Sequence, residues 1–263
     1  MYSDQYLSID GSEIFVREIH LKAKHPLTIV FLHDSLGCVT LWRDLPEKLV
    51  RATGMNALLY DRKGYGKSTG YHADDKRKSD YMADEADLLH VLLKKLAIGK
   101  CILFGHSDGA TIALLAAAKY PDIVQGLIIS GPHIYVEPIT QKGVAETYQA
   151  YYATDMKQRL EKYHGERTDA LVNIWADIWL SESFSTWNIK REISSIACPM
   201  LIIQGEEDEF GTLQQVYDIV NLVDGKCDIL IIPDAGHTPY RAHGSFILDN
   251  SITFLTDILS ENH

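Results

Sequence analysis

A serine flanked by glycines stands near the middle of the sequence, in the segment Gly105-His106-Ser107-Asp108-Gly109. An apolar run precedes the segment and an Ala- and Leu-rich helical pattern follows it, so G-x-S-x-G falls on a sharp strand-turn-helix bend. Such a bend lifts the hydroxyl above the sheet edge, at a helix N-terminus that favours a developing oxyanion. A side chain at either glycine would crowd the neighbouring strand or helix. The pattern predicts a nucleophile at Ser107; a serine N-cap in a glycine turn is the structural alternative.

A serine nucleophile needs a base, and the base needs an acid that orients it. Two later apolar runs end in suitable residues. Asp208 lies in the acidic stretch that follows "MLIIQG", and His237 follows "DILIIPD". We predict that His237 takes the proton from Ser107 and that Asp208 holds the imidazole tautomer. His106 is expected to pack under the bend instead, because adjacent residues on a sharp turn point apart.

An oxyanion needs two preorganised donors. The backbone N–H of Asp108, directly after the nucleophile, is the first candidate. The second is expected from the loop that follows "LTIVFLH", with the N–H of Ser35 as first choice and that of Leu36 as second.

Short apolar runs of strand length alternate with helical patterns along most of the chain. The runs are Leu27–His33, Asn56–Asp61, Cys101–His106, Gly126–Gly131, Met200–Gly205 and Asp228–Asp234. The helical patterns are Thr40–Ala52, Tyr81–Leu96, Ser107–Lys119, Thr212–Leu222 and Ser245–Leu259. Near-continuous apolar runs are typical of strands covered on both faces, so we predict an α/β fold with a mostly parallel sheet and helices on both faces. "YLSID" and "EIFVREIH" predict an opening hairpin.

The alternation breaks between residues 133 and 195, where Tyr and Trp recur at helical spacing. We predict a helical cap here, inserted into a core made of residues 1–132 and 196–263. The cap would lie over the carboxyl ends of the strands, where open α/β sheets bind ligands. Trp175 and Trp179 are candidates to line an apolar substrate pocket; packing inside the cap itself is the alternative.

Composition excludes several classes of protein. The formal charge of −11 over 263 residues argues against nucleic acid or an anionic membrane as partner. There is no apolar run of about 18 residues that could cross a bilayer, and the first residues do not resemble a secretory signal. Four cysteines without a C-x-x-C pattern predict free thiols and a cytoplasmic location. Without an H-x-x-x-H pair we expect no catalytic metal, and the serine chemistry requires no cofactor.

Five motifs, "HDSLG", "YDRKGYGKS", "GHSDG", "GEEDEFG" and "PDAGH", resemble the α/β-hydrolase superfamily in order and spacing. The stretches "SDGATIALLAAAKYPD" and "CPMLIIQGEED" are most similar to the valacyclovir hydrolase (biphenyl hydrolase-like) serine esterases. The resemblance implies an α/β-hydrolase fold with a cap and a serine hydrolase activity. It also implies that Asp108 recognises the amino group of an α-amino-acid ester; capping of the following helix is the alternative. Asp34 replaces the glycine usual after His33 and would add a second carboxylate near the site.

The expected activity is hydrolysis of small carboxylic esters through an acyl-enzyme on Ser107. The same triad also performs carbon–carbon bond hydrolysis and cofactor-free perhydrolysis, so both stay open at this point. The non-enzymatic alternative is a hydrolase-fold module that senses a small molecule. The natural substrate and the oligomeric state do not follow from the sequence.

Overall fold

The computed structural model describes residues 2–21, 25–71 and 75–261. The eight strands described are β1 (Tyr2–Ile9), β2 (Ser12–Ile19), β3 (Leu27–Leu32), β4 (Asn56–Tyr60), β5 (Lys100–His106), β6 (Val124–Ser130), β7 (Met200–Gly205) and β8 (Cys227–Ile232). They form one open sheet in the order β1-β2-β4-β3-β5-β6-β7-β8. β1 pairs with β2, and β2 with β4, in antiparallel fashion, whereas every pair from β4 to β8 is parallel. The mostly parallel sheet and the opening hairpin are therefore confirmed.

The helices described are α1 (Leu45–Thr53), α2 (Tyr81–Lys95), α3 (Asp108–Lys119), α4 (Pro138–Ala153), α5 (Met156–His164), α6 (Thr168–Trp179), α7 (Lys190–Ile193), α8 (Leu213–Leu222) and α9 (Gly244–Glu261). Apolar side chains alternate between two cores along the strands: Val30 belongs to the core under α2, α3 and α8, and Ile29 to the core under α1 and α9. Because both faces of the central strands are covered, these strands read as continuous apolar runs in the sequence.

One helix prediction was wrong in its first turn. The segment predicted as a helix from Thr40 is a short 3-10 helix at Val39–Trp42, and α1 begins only at Leu45. Arg43, which has a positive φ of +52°, separates the 3-10 helix from α1. Pro46 lies in the first turn of α1, where a missing N–H costs nothing; further inside a helix it would remove a hydrogen bond. The first strand begins at Tyr2, four residues before the predicted "YLSID"; the other predicted strands and helices agree with the structure to within about two residues at each end.

Between β6 and β7 the chain forms α4 to α7 and short 3-10 turns, joined by loops, with an isolated bridge between Tyr135 and Asn188. Helices α4, α5 and α6 pack on one another, while α7 contacts α3 and α8. The division into a core and a cap at residues 133–195 stays a prediction. What the structure adds is that α4, α5 and α6 cover the cavity described below.

Two further expectations concern thiols and membranes. All four cysteines are free, and Cys38 and Cys101 are buried. Within the described ranges, no helix is both long and apolar enough to span a bilayer.

Candidate active site

The bend at Ser107 joins β5 to α3. Ser107 has a left-handed φ of +54° with ψ of −122°, a conformation that non-glycine residues rarely adopt and that concentrates at functional sites. A Cβ on Gly105 would lie 2.2 Å from the carbonyl oxygen of Gly109, and one on Gly109 would lie 2.0 Å from that of Leu32. The two glycines therefore permit close contact of the helix with β5 and β3, as the sequence predicts.

His237 follows β8, and its Nδ1–H donates to the carboxylate of Asp208, which follows β7. The Nδ1 atom lies 2.9 Å from Oδ1 and 2.8 Å from Oδ2. Burial disfavours protonation of the ring, but the adjacent Asp208 outweighs it and raises the pKa of His237. Because Nδ1 carries the proton, the Nε2 lone pair of the neutral ring is available as a base.

Asp208 is held by more than the histidine. Gln204 donates to Oδ2 at 2.8 Å, and the backbone N–H groups of Phe210 and Gly211 donate to Oδ1 at 2.8 and 3.2 Å. Burial acts to raise the pKa of Asp208, but His237 and the donated hydrogen bonds lower it overall. The carboxylate therefore stays ionised beside the imidazole.

Ser107 and His237 line the same cavity, which encloses about 250 Å³. In the described part of the chain the Ser107 hydroxyl donates to no side chain, so its bond to His237 is not formed in this structure. Catalytic hydrogen bonds are often long in unliganded proteins and shorten when a substrate binds.

Two of the three residues predicted for the oxyanion hole, Ser35 and Leu36, line this cavity together with Ser107. The third, Asp108, begins α3 immediately after the serine. Among residues 2–21, 25–71 and 75–261, neither the Ser35 N–H nor the Asp108 N–H donates to a protein acceptor. Both amides are therefore available as donors.

The Asp108 carboxylate does not line the cavity. Its side chain is fully buried, and Oδ2 accepts the hydroxyl of Tyr81 at 2.9 Å and lies 3.6 Å from Nη1 of Arg62. Tyr81 in turn accepts the indole N–H of Trp179 at 3.2 Å. Its Oδ1 has no hydrogen-bond partner among the described residues, and the recognition of a substrate amino group by Asp108 stays a prediction.

Asp34 does face the cavity, with 31% of its side chain exposed and Oδ1 3.9 Å from Nδ1 of His106. Burial opposes ionisation, but the His106 ring outweighs it and holds the pKa of Asp34 below its usual range. His106 itself packs under the bend and donates from Nε2 to the carbonyl of His237 at 2.8 Å. Its position agrees with the packing role expected from the sequence.

Helices α4, α5 and α6 form the roof of the cavity, which includes the predicted Trp175 and Trp179. The apolar side chains of the wall are Leu36, Leu41, Val144, Met156, Leu160, Trp175, Trp179 and Phe210. The acidic and basic residues of the wall, besides the histidines, are Asp34, Glu209 and Arg241. In the described residues, no cluster of three or more metal-binding side chains occurs.

Two buried histidines at the site were missed by sequence analysis. His133 lines the cavity and donates from Nε2 to the carbonyl of Phe210 at 3.1 Å. His164, at the end of α5, donates from Nε2 to the carbonyl of Leu36 at 3.1 Å and accepts the N–H of Gly66. Burial lowers the pKa of both rings, so they are neutral near pH 7. The only signal for His133 was its position two residues after the β6 turn at Gly131.

An open, mostly parallel sheet that carries a serine at a strand-turn-helix bend and a His–Asp pair after its last two strands defines the α/β-hydrolase class. A family model described as "Serine aminopeptidase, S33" matches residues 24–241. The chain therefore belongs to this family, and it is a hydrolase of the α/β-hydrolase superfamily.

Comparisons with characterised proteins agree with this assignment. The chain is 25% identical over 253 residues to the sn-1-specific diacylglycerol lipase ABHD11 of Danio rerio, which covers 86% of this chain and 78% of the lipase. It is 30% identical over 155 residues to the serine hydrolase BPHL of Homo sapiens, with 57% of this chain and 52% of that protein covered. The second match confirms the resemblance to the biphenyl hydrolase-like group, over about half of that protein's length.

Solved structures show the same fold. The enol-lactonase of Burkholderia xenovorans LB400 superimposes with a TM-score of 0.74 at 17% identity, covering 96% of this chain and all 100% of the enol-lactonase. Proline iminopeptidase of Mycobacterium smegmatis also gives a TM-score of 0.74, at 15% identity, with 99% of this chain and 100% of that chain covered. At these identities the likeness concerns the fold alone.

Proposed function

We propose that this hydrolase cleaves small carboxylic esters through a covalent acyl-enzyme on Ser107. The observation that carries the proposal is the ionised Asp208 bonded to Nδ1 of His237 in the wall of the cavity that Ser107 enters. This pair leaves the Nε2 lone pair of His237 free to accept the serine proton.

The reaction divides into two acyl transfers. Ser107 Oγ attacks the carbonyl carbon and its proton passes to His237 Nε2, which then delivers the proton to the departing alkoxide. Water replaces the alcohol, gives a proton to the same nitrogen and attacks the acyl carbon. The acyl–oxygen bond then breaks, Ser107 recovers its proton and the carboxylic acid leaves. No cofactor enters either step.

The Ser35 and Asp108 amides are the proposed oxyanion donors. Both N–H groups are free of protein acceptors within the described residues, and they belong to two segments, the loop after β3 and the start of α3. Leu36 is the second candidate, because its amide lies one residue further along the loop.

The wall of the cavity supports an apolar acyl group of modest size. Eight of the wall side chains named above are apolar, and the enclosed space of about 250 Å³ is at the small end for ligand sites. The carboxylates that line the cavity are those of Asp34 and Glu209, whereas that of Asp108 does not line it. We therefore assign Asp108 to the buried network with Tyr81 and Arg62, and propose that any preference for amino esters acts through Asp34.

A second candidate is cleavage of an amide bond next to a free amino group. The family description names an aminopeptidase, and Asp34 and Glu209 both line the cavity. Two carboxylates at the site would pair with a terminal ammonium. The same serine chemistry would apply, with an amine as leaving group.

A substrate panel separates these candidates. We expect p-nitrophenyl esters of short and medium fatty acids to be hydrolysed, and the matched amino-acid p-nitroanilides to be poor substrates. Amino-acid esters compared with neutral esters of equal length, in the wild type and in Asp34→Asn, measure the contribution of Asp34. A vinylogous diketone and peroxide test the carbon–carbon and perhydrolase alternatives. Loss of every activity in Ser107→Ala is the control; a panel in which only anilides react would overturn the ester proposal.

A further inference from the structure

Arg62 lies directly after Asp61 beyond β4 and is fully buried between two segments of the active site. Its Nη2 donates to the backbone carbonyl of Asp34 at 3.0 Å and approaches that of His33 at 3.4 Å. On the other side, Nη1 lies 3.6 Å from Oδ2 of Asp108. A single guanidinium therefore joins the loop that carries Ser35 to the first residue of α3.

The Asp34 carbonyl is the opposite end of the peptide unit whose N–H belongs to Ser35. It accepts three hydrogen bonds, from Arg62 Nη2, from His33 Nδ1 at 2.8 Å and from the Gly37 N–H at 3.2 Å. Because a trans peptide is planar, its C=O and N–H point in opposite directions. Bonds that hold the carbonyl toward Arg62 therefore fix the Ser35 N–H in the opposite direction, away from the guanidinium.

The charge of Asp108 creates a second need for Arg62. A carboxylate on the residue that supplies an oxyanion donor would repel the negative charge that develops on the substrate oxygen. Tyr81 donates one hydrogen bond to this carboxylate, and the guanidinium of Arg62 provides the nearby positive charge. Arginine keeps its charge when buried, so this compensation persists at every working pH.

We propose that Arg62 is a positioning residue of the oxyanion hole, which orients the Ser35 amide through the Asp34 carbonyl and offsets the charge of Asp108. The inference rests on the serine hydrolase function proposed above. Arg62 touches no reacting atom in this account. Its effect reaches the transition state through the orientation of the Ser35 N–H and through the compensated charge of the Asp108 carboxylate.

The experiment compares Arg62→Gln, which removes the charge, and Arg62→Lys, which keeps it, with Arg167→Gln as matched control. Arg167, like Arg62, donates to backbone carbonyls, those of Ser68 at 2.7 Å and Gly66 at 2.9 Å, but neither carbonyl belongs to the loop that carries Ser35. Three quantities are measured for each folded variant: kcat and KM on a p-nitrophenyl ester, the affinity of a trifluoromethyl ketone that forms a tetrahedral adduct with serine, and the affinity of the carboxylic acid product.

For Arg62→Gln we expect kcat to fall about 10- to 100-fold with KM within about threefold, because complete loss of one oxyanion donor costs about 100- to 1,000-fold and a misaligned donor loses part of that. Ketone affinity falls by a similar factor, since the adduct resembles the transition state, while product affinity is unchanged. Arg62→Lys should lose less kcat and less ketone affinity than Arg62→Gln, because the positive charge near Asp108 remains. Arg167→Gln stays within about twofold in all three measurements. A general loosening of the fold would instead weaken ketone and product alike.

The proposal is overturned if folded Arg62→Gln keeps both kcat and ketone affinity within about twofold of wild type. If Arg62→Gln does not fold, two other variants are measured instead: Arg62→Lys and the double variant Arg62→Gln/Asp108→Asn, which removes both charges. Ketone affinity equal to that of wild type in both variants would overturn the proposal. Failure of the ester function is distinguishable, because it appears in the wild type as an absence of ester turnover. Ketone binding to Ser107 still measures the role of Arg62 in that case.

Discussion

Two regions form the cavity. One consists of the short loops after β5, β7 and β8, which carry Ser107, Asp208 and His237. The other consists of side chains from α4, α5 and α6, the roof. We call the loops that carry Ser107, Asp208 and His237 the floor of the cavity. The floor is polar, and the Asp208 carboxylate by itself accepts four hydrogen bonds, from His237, Gln204, Phe210 and Gly211. The side chains that the roof presents to the cavity are mostly apolar, and Thr140 and His164 donate hydrogen bonds from the roof to the carbonyls of Phe210 and Leu36. Changes in the floor should therefore act on kcat, and changes in the roof on KM.

The largest effect on the floor is expected for Asp208→Asn. An asparagine favours the wrong imidazole tautomer and cannot stabilise the imidazolium, so kcat should fall about 10³- to 10⁴-fold. Steady-state ester hydrolysis measures this loss. Asp122→Asn, an exposed aspartate in the turn between α3 and β6, is the control and should match wild type. Equal activity of both variants would mean that Asp208 does not orient the base.

A backbone position under the histidine gives the next largest effect. Gly131 has a φ of +58°, and a Cβ there would lie 2.9 Å from Cε1 of His237 and 3.0 Å from its Nδ1. Gly131→Ala should displace the ring and lower kcat about 100-fold, the cost of roughly 1 Å of misplacement. Gly99→Ala, where an added Cβ meets nothing within 4 Å, should stay at wild-type rate. If Gly131→Ala also keeps the wild-type rate, the position of the His237 ring does not limit kcat.

The pH profile tests the charge state of the floor. His237 must be neutral to act as base, and its pKa is raised above 6.5 by Asp208. We expect kcat/KM to be level above that raised pKa and to fall tenfold for each pH unit below it. Asp208 stays ionised throughout, because its pKa is lowered. In Asp34→Asn the midpoint should move to lower pH, since the charge of Asp34 also raises the pKa of His237. A profile without an acid limb would contradict the base assignment.

The smallest effect is expected in the roof. Leu160 of α5 lines the cavity, and Leu160→Ala removes apolar contact with the acyl chain. KM for a medium-chain ester should rise about three- to tenfold, from about 1 kcal/mol of lost burial, while kcat changes less than about twofold. Leu180→Ala, at an exposed leucine just after α6, is the matched control. A large loss of kcat in Leu160→Ala would show that floor and roof are not independent.

The same contrast explains what the sequence could predict. Buried parallel strands leave continuous apolar runs, so the order and approximate limits of β3 to β8 followed from the sequence. Residues just after the carboxyl ends of such strands meet at one edge, which is why Asp208 and His237 could be paired across 29 residues of chain. Trp175 and Trp179 were expected in the cavity and do line it.

Other features depend on contacts that no local pattern encodes. The direction of the Asp108 side chain is set by Tyr81 and Arg62, which lie 27 and 46 residues away in sequence. Arg62 stands in a stretch of charged and glycine residues that gives no sign of burial. His164 contacts the Leu36 carbonyl across 128 residues. Such long-range polar contacts depend on the packed fold and not on the periodicity of any one segment.

The most direct test of the account is detection of the acyl-enzyme. Hydrolysis of a p-nitrophenyl ester is stopped with acid during turnover, and the masses of the intact protein and of its peptides are measured by mass spectrometry. We expect a mass increase equal to the acyl group, on the peptide that contains Ser107, and no adduct in Ser107→Ala. Full ester turnover by Ser107→Ala, or an adduct on another residue that reacts at the turnover rate, would contradict it.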